Sequence, residues 1–150
     1  MTPSRLIHFL AEEIREAVKD YKLIAEMQAD KKVTVYEQYM PKDRFEVDTF
    51  YPCITVFLQS VEDEGEDSIA TVLLRIGVFG GWAEDGWRDL LNIAERLRQH
   101  LIMKPIIGGE FQRVSPMAFE PLSVQPEPFF YGNLAARYMI GTPRQNVEWY

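Results

Sequence analysis

Ser68–Met103, SIATVLLRIGVFGGWAEDGWRDLLNIAERLRQHLIM, decides the fold. Ile69 to Phe79 is apolar at both parities, which predicts a strand in the middle of a sheet rather than at its rim. Gly80-Gly81 and Trp82 break it. From about Asp85 to Met103 the pattern turns helical, with Trp87, Leu90, Leu91, Ala94, Leu97 and Leu101 spaced to form one buried stripe. Arg88, Asp89, Glu95, Arg96 and Arg98 fall on the opposite, solvated side. A central strand followed by a helix that lies back on the same sheet is the nucleus of a two-layer α+β domain.

Working outward toward the N-terminus, Thr2-Pro3 is a helix start. Thr caps the free amides and Pro suits the first helical position. Leu6, Phe9, Leu10, Ile14, Ala17, Val18 and Tyr21 recur at helical spacing, while Glu12, Glu13, Arg15, Glu16 and Lys19 face water. With no Gly or Pro between Pro3 and Pro41, the helix has no signalled end and can extend into Leu23–Met27. Lys32–Tyr39 reads as a strand from its β-branched and aromatic residues. Pro41-Lys42-Asp43 turns the chain, and Arg44–Thr49 is polar and ambiguous. Tyr51–Leu58 is a second strong strand, with Pro52 tolerable only at its beginning or on an edge. Glu62-Asp63-Glu64-Gly65-Glu66-Asp67 then predicts a long solvated loop, the acidic tip of an antiparallel hairpin whose second arm is the central strand.

Beyond the second helix, Pro105 acts as a stop and Gly108-Gly109 as a corner. Phe111–Val114 and Met117–Leu122 read as short strands split by Ser115-Pro116. Pro121, Pro126 and Pro128 frame an extended connection, and Phe129–Ile140 is the last strand. The tail from Arg144 to Tyr150 is expected to be loose, with Trp149 and Tyr150 able to dock on a neighbour. The reading is one α+β domain over residues 1–150: a mainly antiparallel sheet with two helices on it.

Composition limits the function. The 150 residues are 47% hydrophobic and 26% charged, enough for a core without metal or disulfide staples. The net charge of −7 argues against a surface that grips nucleic acid or anionic membrane, since both need clustered Lys and Arg. No run approaches the ~18 apolar residues of a membrane span, and Met1–Asp20 lacks the apolar stretch of a signal peptide. A soluble protein made in a cytoplasm is expected, and the lone Cys53 fits a reducing compartment.

Few residues carry chemistry. Cys53 lies in an apolar strand and has no fixed spacing to either histidine, His8 or His100. A small buried hydrophobe is the plainer reading than a nucleophile. No HExxH, paired CxxC or calcium-loop spacing is present, so the acidic run reads as solvated charge and no metal or cofactor is expected. Gly80-Gly81 stands where phosphate loops occur. It lacks their motifs, however, and Glu84 and Asp85 would repel phosphate. Phe50, Tyr51 and Trp82 fall at strand ends or in loops, where aromatics serve either an interface or local packing.

In order and texture the chain resembles the bacteriophage tail terminator (tail completion) proteins. The residues that carry the likeness are the strand opening Tyr51-Pro52-Cys53-Ile54-Thr55-Val56, the acidic hairpin, Thr71–Phe79, Gly86–Arg98, and the Pro-rich connection to a strand containing Phe129-Phe130-Tyr131. The likeness runs from about Val33 to Ile140, behind an N-terminal helix. It implies a structural, non-enzymatic virion protein that self-associates into a ring, usually a hexamer. Such a ring caps the tail tube, meets the head-neck connector and lets DNA pass through its lumen. It would be assembled in the host bacterial cytoplasm and reside in the virion tail. On that reading Phe50, Asp63, Glu64, Glu66, Asp67 and Trp82 are the interface candidates. The competing readings are another head-tail joining or minor tail protein, a small enzyme using Cys53 with His8 or His100, and a ligand-binding domain with a pocket lined by Trp82 and Tyr51.

Overall fold

The computed structural model describes residues 2–23, 32–40, 51–80, 86–126 and 128–141. Helix α1 (Pro3–Val18) begins as its sequence dictates, with Thr2 extended and its hydroxyl accepting from the Arg5 amide. Leu6, Ile7, Leu10, Ala11, Ile14 and Val18 form its buried stripe. It ends at Val18 rather than running on toward Met27, and Tyr21 to Leu23 are already non-helical.

Strand β1 (Thr34–Glu37) is shorter than the stretch Lys32–Tyr39 predicted for it, because Gln38 turns out of the ladder at φ 65°. Its side chain then accepts from the Leu58 amide at 3.0 Å while its own amide donates to the Val56 carbonyl. β2 (Cys53–Glu64) and β3 (Asp67–Phe79) pair antiparallel. β6 (Phe129–Ile140) lies against β3 along its whole length, from Ser68↔Ile140 to Phe79↔Phe129. β5 (Phe111–Pro121) follows, and the two-residue β4 (Ile106–Ile107) closes the rim. The order is β1-β2-β3-β6-β5-β4, antiparallel except for the β1–β2 pair. β3 is therefore interior, as its two apolar faces require.

Two further expectations change with the fold in view. The acidic run is no long loop: β2 and β3 stay paired out to Glu64↔Asp67 and turn through Gly65-Glu66 alone. Gly65 at φ 65° supplies the first central position of that turn. The residues around Ser115-Pro116 do not separate two strands. They form a register irregularity within one continuous β5, between Val114 and Ala118. The turn expected at Pro41-Lys42-Asp43, and the ambiguous Arg44–Thr49, lie outside the described residues, as does the tail from Arg144.

Helix α2 (Gly86–Met103) lies on β3 and β6, and α1 lies beside it over β1 and β2. Both helices cover one face of the sheet. That face is built from Ile54, Val56, Val72, Leu74, Ile76, Val78, Phe130, Leu134, Ala136 and Tyr138, all buried. The stripe on α2 is rotated from the one its sequence suggests. Trp87 and Leu91 are 44% and 41% exposed, whereas Asp89, expected in water, is fully buried. The reason is Tyr21. Its hydroxyl donates to Asp89 Oδ1 at 2.7 Å, so a partner 68 positions away draws the acid inward and turns Trp87 out. Burial, together with this bond, raises the Tyr21 pKa.

Glu13 departs from expectation in the same way. It is held between the helices by His100 Nε2 at 2.7 Å and by Lys104 Nζ. Burial works to raise its pKa, yet the bonds from Lys104 and His100 outweigh that and leave it below the ordinary carboxylate value.

Candidate functional site

The sheet face away from the helices, and the two ends of the strands, hold what this fold offers to a partner. At one end the β2–β3 hairpin carries Glu62, Asp63, Glu64, Glu66 and Asp67, all exposed. The alternation of a strand sends Glu62 and Glu64 to one face and Asp63 to the other. Asp63 Oδ1 accepts from the Ser68 hydroxyl at 2.6 Å across the ladder. Arg137 on β6 donates from Nη2 to Glu64 Oε1 at 3.2 Å and from Nη1 to the Ser115 carbonyl at 3.2 Å, which ties the hairpin to β6 and β5. Even so, Glu64 and Asp67 sit directly opposite each other, and like charges in that relation destabilise a sheet.

At the other end of the same face, Tyr51, Phe79, Phe129 and Tyr131 form an aromatic cluster. Ring centroids are 5.0 Å apart for Tyr51–Phe129 and 5.2 Å for Phe79–Phe129. The Tyr51 and Tyr131 hydroxyls share a hydrogen bond. Gly77 lies beneath: a Cβ there would stand 2.8 Å from Tyr51 and 2.9 Å from Tyr131, so only glycine lets both rings close over the strand. Tyr51 is thus buried in the fold, not free at a strand end. Only the register reveals this cluster. In the sequence its one trace is the alternation Phe129-x-Tyr131 on a strand that pairs with Gly77 and Phe79.

The remaining candidates are scattered. Phe50 and Trp82 lie outside the described residues, as do Gly81, Glu84 and Asp85 of the possible phosphate loop; Gly80 donates its amide to the Pro128 carbonyl at 2.8 Å. Cys53 is buried, with Met40 Sδ 4.0 Å from its sulfur, and burial pushes its thiol up to about 12. That is the opposite of what a nucleophilic thiol needs. Neither histidine is directed at it: His8 meets Glu12 and Glu37 at 3.1 Å each, and His100 meets Glu13. Among the described residues no group of three or more His, Cys, Asp or Glu side chains is placed to hold a metal ion, and no helix is long and apolar enough to cross a membrane.

Among the described residues three buried side-chain polar atoms have no hydrogen-bond partner: Glu110 Oε2, Arg113 Nε and the Tyr138 hydroxyl. Tyr138 is fully buried on the helix side of β6, and its hydroxyl has no hydrogen-bond partner among the described residues.

No family model matches this chain, and no curated protein matches it either.

Proposed function

We propose that this chain is a structural subunit of a bacteriophage tail, of the tail-terminator type. Copies assemble into a ring on the end of the tail tube and meet the head-neck connector, with DNA passing through the lumen. The work is done by surfaces rather than by bond chemistry.

The observation that carries the reading is the hairpin end. Five carboxylates crowd a two-residue turn, with Glu64 facing Asp67 across the ladder and also paired with Arg137. The like-charge pairing across the turn costs stability, so we read the value of this acidic tip in what it meets or repels outside the subunit. Next to a DNA channel, exposed carboxylates keep passing phosphate from sticking. The order of elements supports the same reading: helix, strand, acidic hairpin, helix, and a long last strand after a Pro-rich connection.

Electron micrographs of the purified protein, alone and mixed with tails, test it. Rings, or caps at one end of the tubes, are expected, and deletion of the gene should produce overlong tubes. Tubes of normal length in the deletion would point instead to a head-closure or minor tail role. An activity lost on Cys53→Ala, in a protein that never associates, would overturn the structural reading altogether.

A further inference from the structure

We propose that the segment Arg144–Tyr150 folds back over the sheet face turned away from the helices and seats Trp149 on it. An apolar row crosses the middle of that face. Phe57 pairs with Leu73, Leu73 with Ala135 and Ala135 with Ala118, and cross-strand partners share a face. The helices take the alternate residues, Val56, Val72, Leu74, Leu134 and Ala136. β3 is thus apolar on both sides, yet among the described residues only the helix side is covered. Phe57, Leu73 and Ala135 are half-buried and Ala118 is exposed. Two large side chains beside two methyl groups leave a step, and an indole is the largest apolar surface the chain can set against it.

The occupant follows from the length of the tail and the order of its charges. β6 delivers the chain to the hairpin end at Ile140, between β3 and β5 in the sheet. Residues 142–150, Thr-Pro-Arg-Gln-Asn-Val-Glu-Trp-Tyr, lie beyond the described ones. Gly141-Thr142-Pro143 carries turn residues. Extended at ~3.3 Å per residue, Arg144–Tyr150 spans about 23 Å, and the outer face from Met139 to Asn133 on β6 measures about 20 Å. On that path Arg144 starts beside Glu62 and Glu64, since Glu62 shares a row with Ile69 and Met139. Glu148, four positions on, comes level with Ala135, between the rows of Arg137 and Arg75. Trp149 and Tyr150 follow onto the apolar row. Arg75 is exposed; its Nε donates to Asn133 Oδ1 at 3.2 Å and its guanidinium lies over Phe57. Both partners are neutral, so neither offsets its charge. Opposite charges in matching order fix the direction of the segment, and an arginine beside a seated indole adds cation–π attraction. The contact is made within one subunit, whether or not copies form a ring.

The test uses Val147→Cys with Ala118→Cys, the first in the tail and the second in the row, in a chain whose own Cys53 is buried. Diamide oxidises the two thiols to a disulfide, and mass spectrometry with peptide mapping separates a bridged monomer from a dimer. A bridged monomer is expected. Val147→Cys with Gln99→Cys, exposed on α2, should close about tenfold more slowly, and so should the first pair carrying Trp149→Ala. Arg75→Glu should also slow the first pair, and Glu148→Lys added to it should restore the rate. Thermal melts matched to the wild type show that a lost bridge is not a lost fold. Equal rates for the two cysteine pairs, or a first pair indifferent to Trp149→Ala and to the charge reversal, would overturn the docking site. Dimer from a mixture of the two single-cysteine proteins, with no bridged monomer from the double variant, would put the tail on a neighbouring copy and overturn docking within the subunit.

Discussion

Two tyrosines at the core, Tyr21 and Tyr138, make the same substitution act in opposite directions. Tyr138 is fully enclosed and its hydroxyl has no partner among the described residues. A buried hydroxyl left unbonded costs about 1–3 kcal/mol, and Phe fills the same space less one oxygen. Tyr138→Phe is therefore expected to stabilise the protein by about 1 kcal/mol, or about 3 °C in Tm for a chain of this size. Tyr21→Phe should do the reverse. It removes the 2.7 Å bond to Asp89 and leaves a fully buried acid short of a donor. Bonds to such groups contribute about 1.5–3 kcal/mol, so a fall on the order of 5 °C is expected. Urea denaturation of both variants beside the wild type measures the two differences on one scale, with unchanged slopes confirming a common unfolded state. A loss of about 1 kcal/mol or more in Tyr138→Phe would mean that its hydroxyl is satisfied after all. A neutral Tyr21→Phe would mean that something other than this tyrosine buries Asp89 and turns Trp87 outward.

Other consequences can be checked with the same preparations. Glu13 has a lowered pKa in the folded state, so its contribution is present above the ordinary carboxylate value and is lost as pH falls through the lowered one. The stability gap between wild type and Glu13→Gln, followed by urea titration, should be full near neutrality and shrink as the pH drops below about 4.5. Cys53, with its thiol near 12, should resist iodoacetamide at pH 8 in the folded protein and react once urea unfolds it; rapid labelling of the native chain would contradict its burial. Gly77→Ala places a methyl 2.8 Å from Tyr51 and should destabilise by about 1–2 kcal/mol in thermal melts, with a change in near-ultraviolet circular dichroism from the displaced rings. An unaltered aromatic spectrum would show that the rings do not close over Gly77.

The parts of the fold legible in the sequence were those fixed by local pattern. The double-faced apolar run of β3, the strand Phe129–Ile140, the Thr2-Pro3 helix start and the second helix all follow from residues a few positions apart. What failed depended on partners far along the chain. The helical stripe of α2 admits two rotations, one led by Trp87 and Leu91 and one by Asp89 and Ile93. Tyr21 selects the second, from a segment whose conformation no local signal predicts. Glu13 looked solvated until His100 on the other helix and Lys104 just beyond its end met it. Ser115-Pro116 looked like a boundary because proline cannot donate to a ladder. On a strand partnered on one side that missing amide is tolerated, and the chain continues through an irregularity. Of the candidate interface, the acidic residues were legible as exposed charge, but their tight pairing across a two-residue turn was not.

The rims of this sheet limit how another chain can join it. Beyond Val56, β2 has no strand beside it among the described residues, and its outer margin bears Glu62, Asp63 and Glu64; beyond Gln112, β5 is likewise unaccompanied and carries Pro116. Clustered negative charge on one margin and a residue without an amide on the other both discourage a foreign backbone from zipping on. Sheet extension is thereby disfavoured along both of these margins, and a partner meeting them would meet side chains. Side-chain contacts of that kind let go without unfolding either partner, whereas an added strand would have to be peeled from the ladder.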